Sequence, residues 1–273
     1  MKVLLIIALV VASASAFFLD ELKGWKYDNP DTAITRGHDA ESGQFPYQVG
    51  ISLQLGKKFG FCGGSLISNT WVLTAAHCIL GLDALSRAHT VTVYLGSIWR
   101  SQPHVQYTVG RQDMIIHEHF SKTPLSNDIA LIRIPYVEYS TYIQPVKLPK
   151  MQPSFESYTA HQSVATGWGD TLNPFNPNPE ILQYAQLKVI SLTDCQRSWG
   201  TTLTSAHICV STFEGSSICR NDAGGPLIDL HSSVQIGVAS FESSLGCDKG
   251  VPAVFTRVTS FLNWIKHYTD IAM

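Results

Sequence analysis

The strongest constraint on the fold is the recurrence of apolar residues in short runs of period two. Val91, Val93 and Leu95 alternate with Thr90, Thr92 and Tyr94. Ala130, Ile132 and Ile134 interleave with Ile129, Leu131 and Arg133, so both faces of that run are apolar. Val234, Ile236 and Val238 make a third alternating run. Successive side chains of a strand point to opposite faces. Alternation therefore describes a half-buried strand, and an apolar run on both faces a fully buried one. Many short strands at close spacing predict an all-β barrel or sandwich. The C-terminus changes period: Val258, Phe261, Leu262, Ile265 and Tyr268 fall at helical spacing. That predicts an amphipathic helix, capped by Thr259 or Ser260. The stretch 173–179 (NPFNPNP) reads as an exposed loop.

The N-terminus sets the compartment. Lys2 precedes an apolar run over 3–12, and Ala14-Ser15-Ala16 supplies small residues at a cleavage position. This is the pattern of a secretory leader over 1–16, and the run is too short to span a bilayer. An oxidising, extracellular destination makes the six cysteines a set of three disulfides. The spacing alone leaves their pairing open. With 19 Lys+Arg against 21 Asp+Glu, the net charge is −2. That excludes nucleic acid and anionic membrane surfaces as partners, since both need clustered cations. A 45% hydrophobic composition excludes disorder.

Three segments carry chemistry. They are Thr74-Ala75-Ala76-His77-Cys78, Asn127-Asp128-Ile129-Ala130-Leu131 and Asn221-Asp222-Ala223-Gly224-Gly225-Pro226. A lone His is more often structural than catalytic, and an Asp opening a strand is more often a cap. The order His, Asp, Gly-Gly-Pro on a cysteine-paired β chain is much more specific. No CxxC or HxxxH cluster suggests a metal. His117 and His119 would share a face on a strand, but no third ligand accompanies them. They and His161 read as surface or packing residues, and no cofactor or metal is expected.

The chain resembles the trypsin/chymotrypsin serine protease family from about Ile34 to the C-terminal helix. Further matches are Phe61-Cys62-Gly63-Gly64-Ser65-Leu66-Ile67, Trp71-Val72-Leu73, Gly167-Trp168-Gly169 and Thr256-Arg257-Val258. Ser240-Phe241, followed by Gly246-Cys247, is most similar to the brachyurin-type digestive proteases of arthropods. The resemblance implies two six-stranded antiparallel barrels with a C-terminal helix and a cleft between them. It implies a 17–33 pro-segment, a 34–273 protease domain, and a barrel boundary near 140–155. It also implies the disulfides Cys62–Cys78, Cys195–Cys209 and Cys219–Cys247. His77 and Asp128 would be the base and its orienting carboxylate, and Ser217, Ser240, Glu242 and Ala253 the specificity pocket. Asn221 and residue 223 would form the oxyanion hole. Ile34, as a new amino terminus, would pair with Asp222.

The departures matter as much. Where the family writes the nucleophilic Ser, this chain has Ala223, and a methyl group can neither attack nor be deprotonated. Asn221 stands where the family has Gly, and its side chain is expected to crowd the oxyanion site. Glu242 replaces a wall Gly and should narrow the pocket or pair with a cation. Ala253 adds a methyl at a wall position that is often Gly. Ala33 occupies the position cut during activation, so a tryptic activator would not cleave there. The expected protein is a secreted, monomeric, catalytically inactive homologue. It would act as an adaptor or decoy by binding a protein or peptide in the former substrate cleft. An active protease or a protease inhibitor is a candidate partner. The alternative is a secreted digestive endopeptidase of chymotrypsin or brachyurin type, inactivated in this sequence by an allele or error at residue 223.

Overall fold

The computed structural model describes Ile34 and residues 37–55, 58–80, 88–152, 156–171, 179–269 and 271–272. The expected leader, the pro-segment with Ala33, and most of the 173–179 loop lie outside the described residues.

Two sheets carry the fold. β1 (His38–Asp39) comes first but belongs to the second sheet. The first sheet uses β2 (Gln48–Leu55), β3 (Lys58–Ser68), β4 (Trp71–Thr74), β5 (Thr90–Leu95), β6 (Val105–Gly110) and β7 (Met114–Ile116). A small hairpin follows, β8 (Ser121–Lys122) with β9 (Leu125–Ser126), and β10 (Ala130–Arg133) then completes the sheet. Its order is β6-β5-β2-β3-β4-β10-β7. The second sheet uses β11 (Gln162–Gly167), β12 (Gln183–Ile190), β13 (His207–Val210), β14 (Pro226–Asp229), β15 (Gln235–Phe241) and β16 (Ala253–Arg257). Pairing of β12 with β13 at Val189↔Val210 closes these six into a barrel, with β1 added outside β12. The first sheet curls without a hydrogen-bonded seam between β6 and β7, a half-barrel beside the closed one.

The predicted alternation governs burial. Along β5 every second residue is buried. β10 buries Ala130, Leu131 and Ile132 on both faces, while Arg133 turns outward. β15 is buried from Gln235 to Ser240, since it faces its own barrel on one side and the neighbouring half on the other. All three implied disulfides are present.

The C-terminal helix forms, but its start differs from expectation. A 3-10 turn over Val258–Phe261 precedes α3 (Leu262–Tyr268), after α1 (Ala76–Leu80) and α2 (Leu192–Trp199). Neither Thr259 nor Ser260 caps it, because both lie inside the 3-10 turn. Val258, Phe261, Leu262 and Ile265 join the hydrophobic core of the first sheet. Truncating Ile265, which is 0% exposed, to Ala removes about 2–5 kcal/mol of stability. Among the described residues no helix is long and apolar enough to cross a membrane.

Candidate active site

His77 and Asp128 meet at the edge of the first sheet. β4 delivers His77 on the first turn of α1, and the Cys62–Cys78 bridge ties that turn back to β3. Asp128 lies just before β10, after Asn127 in a left-handed conformation at φ 50°. The His77 backbone N–H donates to Asp128 Oδ1 at 2.9 Å, and His77 Nδ1 lies 2.7 Å from Oδ2. Two groups of the second barrel complete the shell of Asp128. Ser240 Oγ donates to Oδ2 at 2.6 Å, and Thr256 Oγ1 donates to the Asp128 carbonyl at 2.8 Å.

Electrostatics follow from this enclosure. Asp128 is 2% exposed. Burial alone would raise its pKa, but His77 and the Ser240 hydroxyl outweigh it, and the carboxyl sits below its usual range. Burial alone would likewise lower His77. The charge and hydrogen bond of Asp128, with a smaller contribution from Glu242, carry it above its ordinary value instead. With Nδ1 committed to Asp128, Nε2 is the atom left to hold or move a proton.

The 221–226 segment faces this pair. Ala223 O accepts from Gly63 N–H at 2.8 Å, and Gly224 N–H donates to Ala239 O at 2.8 Å. Gly224 has φ 83°, and a Cβ there would lie 2.2 Å from Thr74 Oγ1. The Cys78 sulfur joins the two halves of the site: His77 Nε2 lies 4.0 Å from it and Ala223 O 3.6 Å. Geometrically, Cys62, His77 and Cys78 form a tight cluster. Both sulfurs are spent in the disulfide and cannot act as thiolate ligands.

Asn221 has a defined side-chain partner. It takes the left-handed conformation at φ 73°, and its Nδ2 donates to Asp170 Oδ1 at 2.7 Å. That bond draws the side chain to Asp170, which also receives Arg220 Nε at 3.3 Å. Only its place as the polar residue closing Gly167-Trp168-Gly169-Asp170 signals Asp170 in the sequence.

Asp222 is 0% exposed. Its Oδ1 accepts from Gly169 N–H at 2.7 Å and its Oδ2 from Cys219 N–H at 2.8 Å. Burial pushes its pKa up to about 7. A Cβ at Gly169 would come within 2.3 Å of the carboxylate, so glycine is required for this approach. Ile34 is also 0% exposed and packs in the second barrel's core. Asp222 is held here by these two backbone N–H groups.

Of the four expected pocket residues, only Glu242 keeps an accessible side chain. Ser217 is 1% and Ala253 0% exposed, and Ser217 Oγ donates to Ile218 O at 2.9 Å. Ser240 uses its hydroxyl on Asp128. Glu242 is half-buried, and burial raises its carboxyl pKa.

The family profile described as Trypsin matches residues 34–265. The chain belongs to the trypsin family. It is similar to Serine protease 1 of Drosophila melanogaster, at 42% identity over 88% of this chain and 86% of that one. It is also similar to Collagenase of Hypoderma lineatum, at 38% identity over 99% of each chain. The solved structure of HL collagenase superposes with a TM-score of 0.78 at 37% identity, covering 87% of this chain and 99% of that one. In this trypsin-family chain, His117 and His161 take structural places. His117 and His119 lie beyond β7 in a turn rather than on a strand, and His117 packs against Phe261 and Trp264. His161 Nδ1 pairs with buried Asp229 at 2.9 Å.

Proposed function

We propose that this trypsin-family chain is a secreted, monomeric homologue without peptidase activity, which works by binding a protein or peptide in the cleft beside His77. The residue at position 223 carries the reading. Acyl transfer needs a hydroxyl that attacks, an imidazole that takes its proton, and a carboxylate that orients the imidazolium. His77 and Asp128 supply the last two, and Ala223 supplies no nucleophile. A protease stripped of one such group keeps only about 10³–10⁴-fold catalysis over water, roughly six orders below the intact enzyme. The cleft, its disulfides and its buried network remain as a scaffold for recognition, as an adaptor or decoy toward an active protease or an inhibitor would require.

The test is exposure of the purified chain to a fluorophosphonate probe and a peptide library, beside a His77→Ala control. No labelling and identical turnover are expected. Labelling of this chain, or turnover well above the control, overturns the proposal.

A second reading, a digestive endopeptidase altered only at residue 223, draws support from the intact His77–Asp128–Ser240 network and from the likeness to Collagenase of Hypoderma lineatum. A Ser codon at position 223 in independently read transcripts would select it.

A further inference from the structure

We propose that His161 and His231 form a metal site on the second barrel, with buried Asp229 behind His161 as the carboxylate that orients it. The ligand is a divalent transition cation that prefers imidazole, zinc or copper(II), with water in the open positions. The site lies away from the cleft. β14 leaves the 221–226 segment at Pro226, and His231 lies two residues beyond its far end, about 16 Å along the strand.

The sheet sets the two rings opposite each other. β11 and β14 pair antiparallel with Ser163 opposite Asp229. Continued by two residues, that register puts His161 opposite His231, and directly opposed residues of a ladder bring their side chains together. Leu230 N–H donates to Gln162 O at 3.0 Å, which carries the ladder one step past β14. The turn bearing His231 is closed on itself: Ser233 N–H donates to Asp229 O at 2.9 Å, and Asp229 N–H to Val234 O at 2.9 Å. On the other strand, Val189 N–H donates to His161 O at 2.9 Å. Both backbones are therefore fixed, and the ring centroids stand 6.0 Å apart at 70°. Imidazoles that share one zinc through bonds of about 2 Å hold their ring centres about 5–6 Å apart.

His161 is already set in the tautomer that a metal needs. Its Nδ1 lies 2.9 Å from Asp229 Oδ1, and Asp229 is 0% exposed. The other oxygen, Oδ2, accepts from the Ser232 N–H at 2.8 Å and from the Ser232 hydroxyl. Burial alone would raise this carboxyl, but the Ser232 hydroxyl and His161 outweigh it and hold it below its usual range. An ionised carboxylate only accepts, so Nδ1 carries the proton and the lone pair of neutral His161 falls on Nε2. A carboxylate behind the second ring nitrogen fixes a ligating histidine and raises its basicity. Tyr158 packs edge-on against the His161 ring at 5.7 Å and steadies it further. His161 is 31% exposed and His231 is exposed, so a cation and its waters reach both. Calcium and magnesium, which take oxygen ligands, are not the cations this pair selects.

The experiment titrates zinc into the chelator-treated full chain and follows the histidine ring signals by NMR. Saturable binding is expected, with the His161 and His231 signals moving together. Calcium at the same concentration should move neither. His231→Ala should weaken zinc binding about tenfold or more. It should leave the metal-free thermal midpoint unchanged, because His231 is exposed on its turn. Zinc should raise the midpoint of the natural chain and not that of the variant. Absence of saturable binding, or an affinity that survives His231→Ala, overturns the proposal. So does zinc that moves the His77 or His117 signals in place of those of His161 and His231.

Discussion

The two halves of the cleft have fared differently. The first sheet contributes His77 and Asp128 in a fully satisfied network, closed by Ser240 and Thr256 from across the cleft. The second barrel contributes Asn221, Ala223 and Glu242, three side chains that the proposed reading sets apart from an active protease. The buried half cannot change piecemeal, because removing one partner leaves an uncompensated charge in the core. The other half is more open to change: a methyl at 223 leaves its loop bonds intact, since those are made by the backbone. A change of side chain at 223 is therefore structurally silent, whereas loss of the Asp128 carboxylate is not.

The sharpest way to break this comparison is Asp128→Ala. Loss of about 3–5 kcal/mol of unfolding free energy is expected in denaturant titrations. A loss below about 1 kcal/mol would place the network among weak surface pairs instead. The pH dependence has two signs. Asp128 is depressed in the folded state, so its contribution is present above the ordinary value of 3.8 and is lost as pH falls. His77 is raised, so its contribution is present below the ordinary value of 6.5 and is lost as pH rises through the folded value. Stability should peak between those limits, and the variant should flatten that peak.

Ala223→Ser tests the other half. Only slow fluorophosphonate labelling is expected from this change, because Glu242 still stands beside His77. Adding Glu242→Gly should raise the labelling rate about tenfold, the equivalent of 1.4 kcal/mol in the barrier. Full family-like turnover from Ala223→Ser alone would show that the remaining departures are harmless. A smaller effect is expected from Asn221→Gly. The lost bond to Asp170, about 0.5–1.5 kcal/mol, is offset by relief of a left-handed residue, so the midpoint should move by only a few degrees in calorimetry. The smallest effect is on His77 itself. Glu242→Gln removes one of the charges that raise its pKa, so its imidazole titration, followed by NMR, should move to lower pH. An unchanged midpoint would separate Glu242 from the imidazole.

Much of the fold was legible because burial writes itself into period. The alternation in β5, the doubly apolar β10 and the helical spacing after Val258 each follow from which face meets the core. What was not legible depends on contacts between distant residues. The pairing of β12 with β13 that closes the second barrel joins strands well apart in the chain, which no local pattern encodes. The expected caps at Thr259 and Ser260 fail because a tighter turn begins before them. At the site, His77, Asp128 and Ala223 stood out by motif. Two contacts needed coordinates: Ser240 donates to Asp128, and Asn221 donates to Asp170.

The ends of the chain cross over. β1, from the N-terminal side, is hydrogen-bonded to β12 of the second barrel, while the last helix packs on the core of the first sheet. Each half therefore wears a strap cut from the other's end of the chain, and these straps add to the bonds the linker itself makes, Val146 N–H to Leu66 O and Gln235 N–H to Lys147 O. A nick in that linker would leave one particle with its cleft intact, and unravelling would have to release both straps at once.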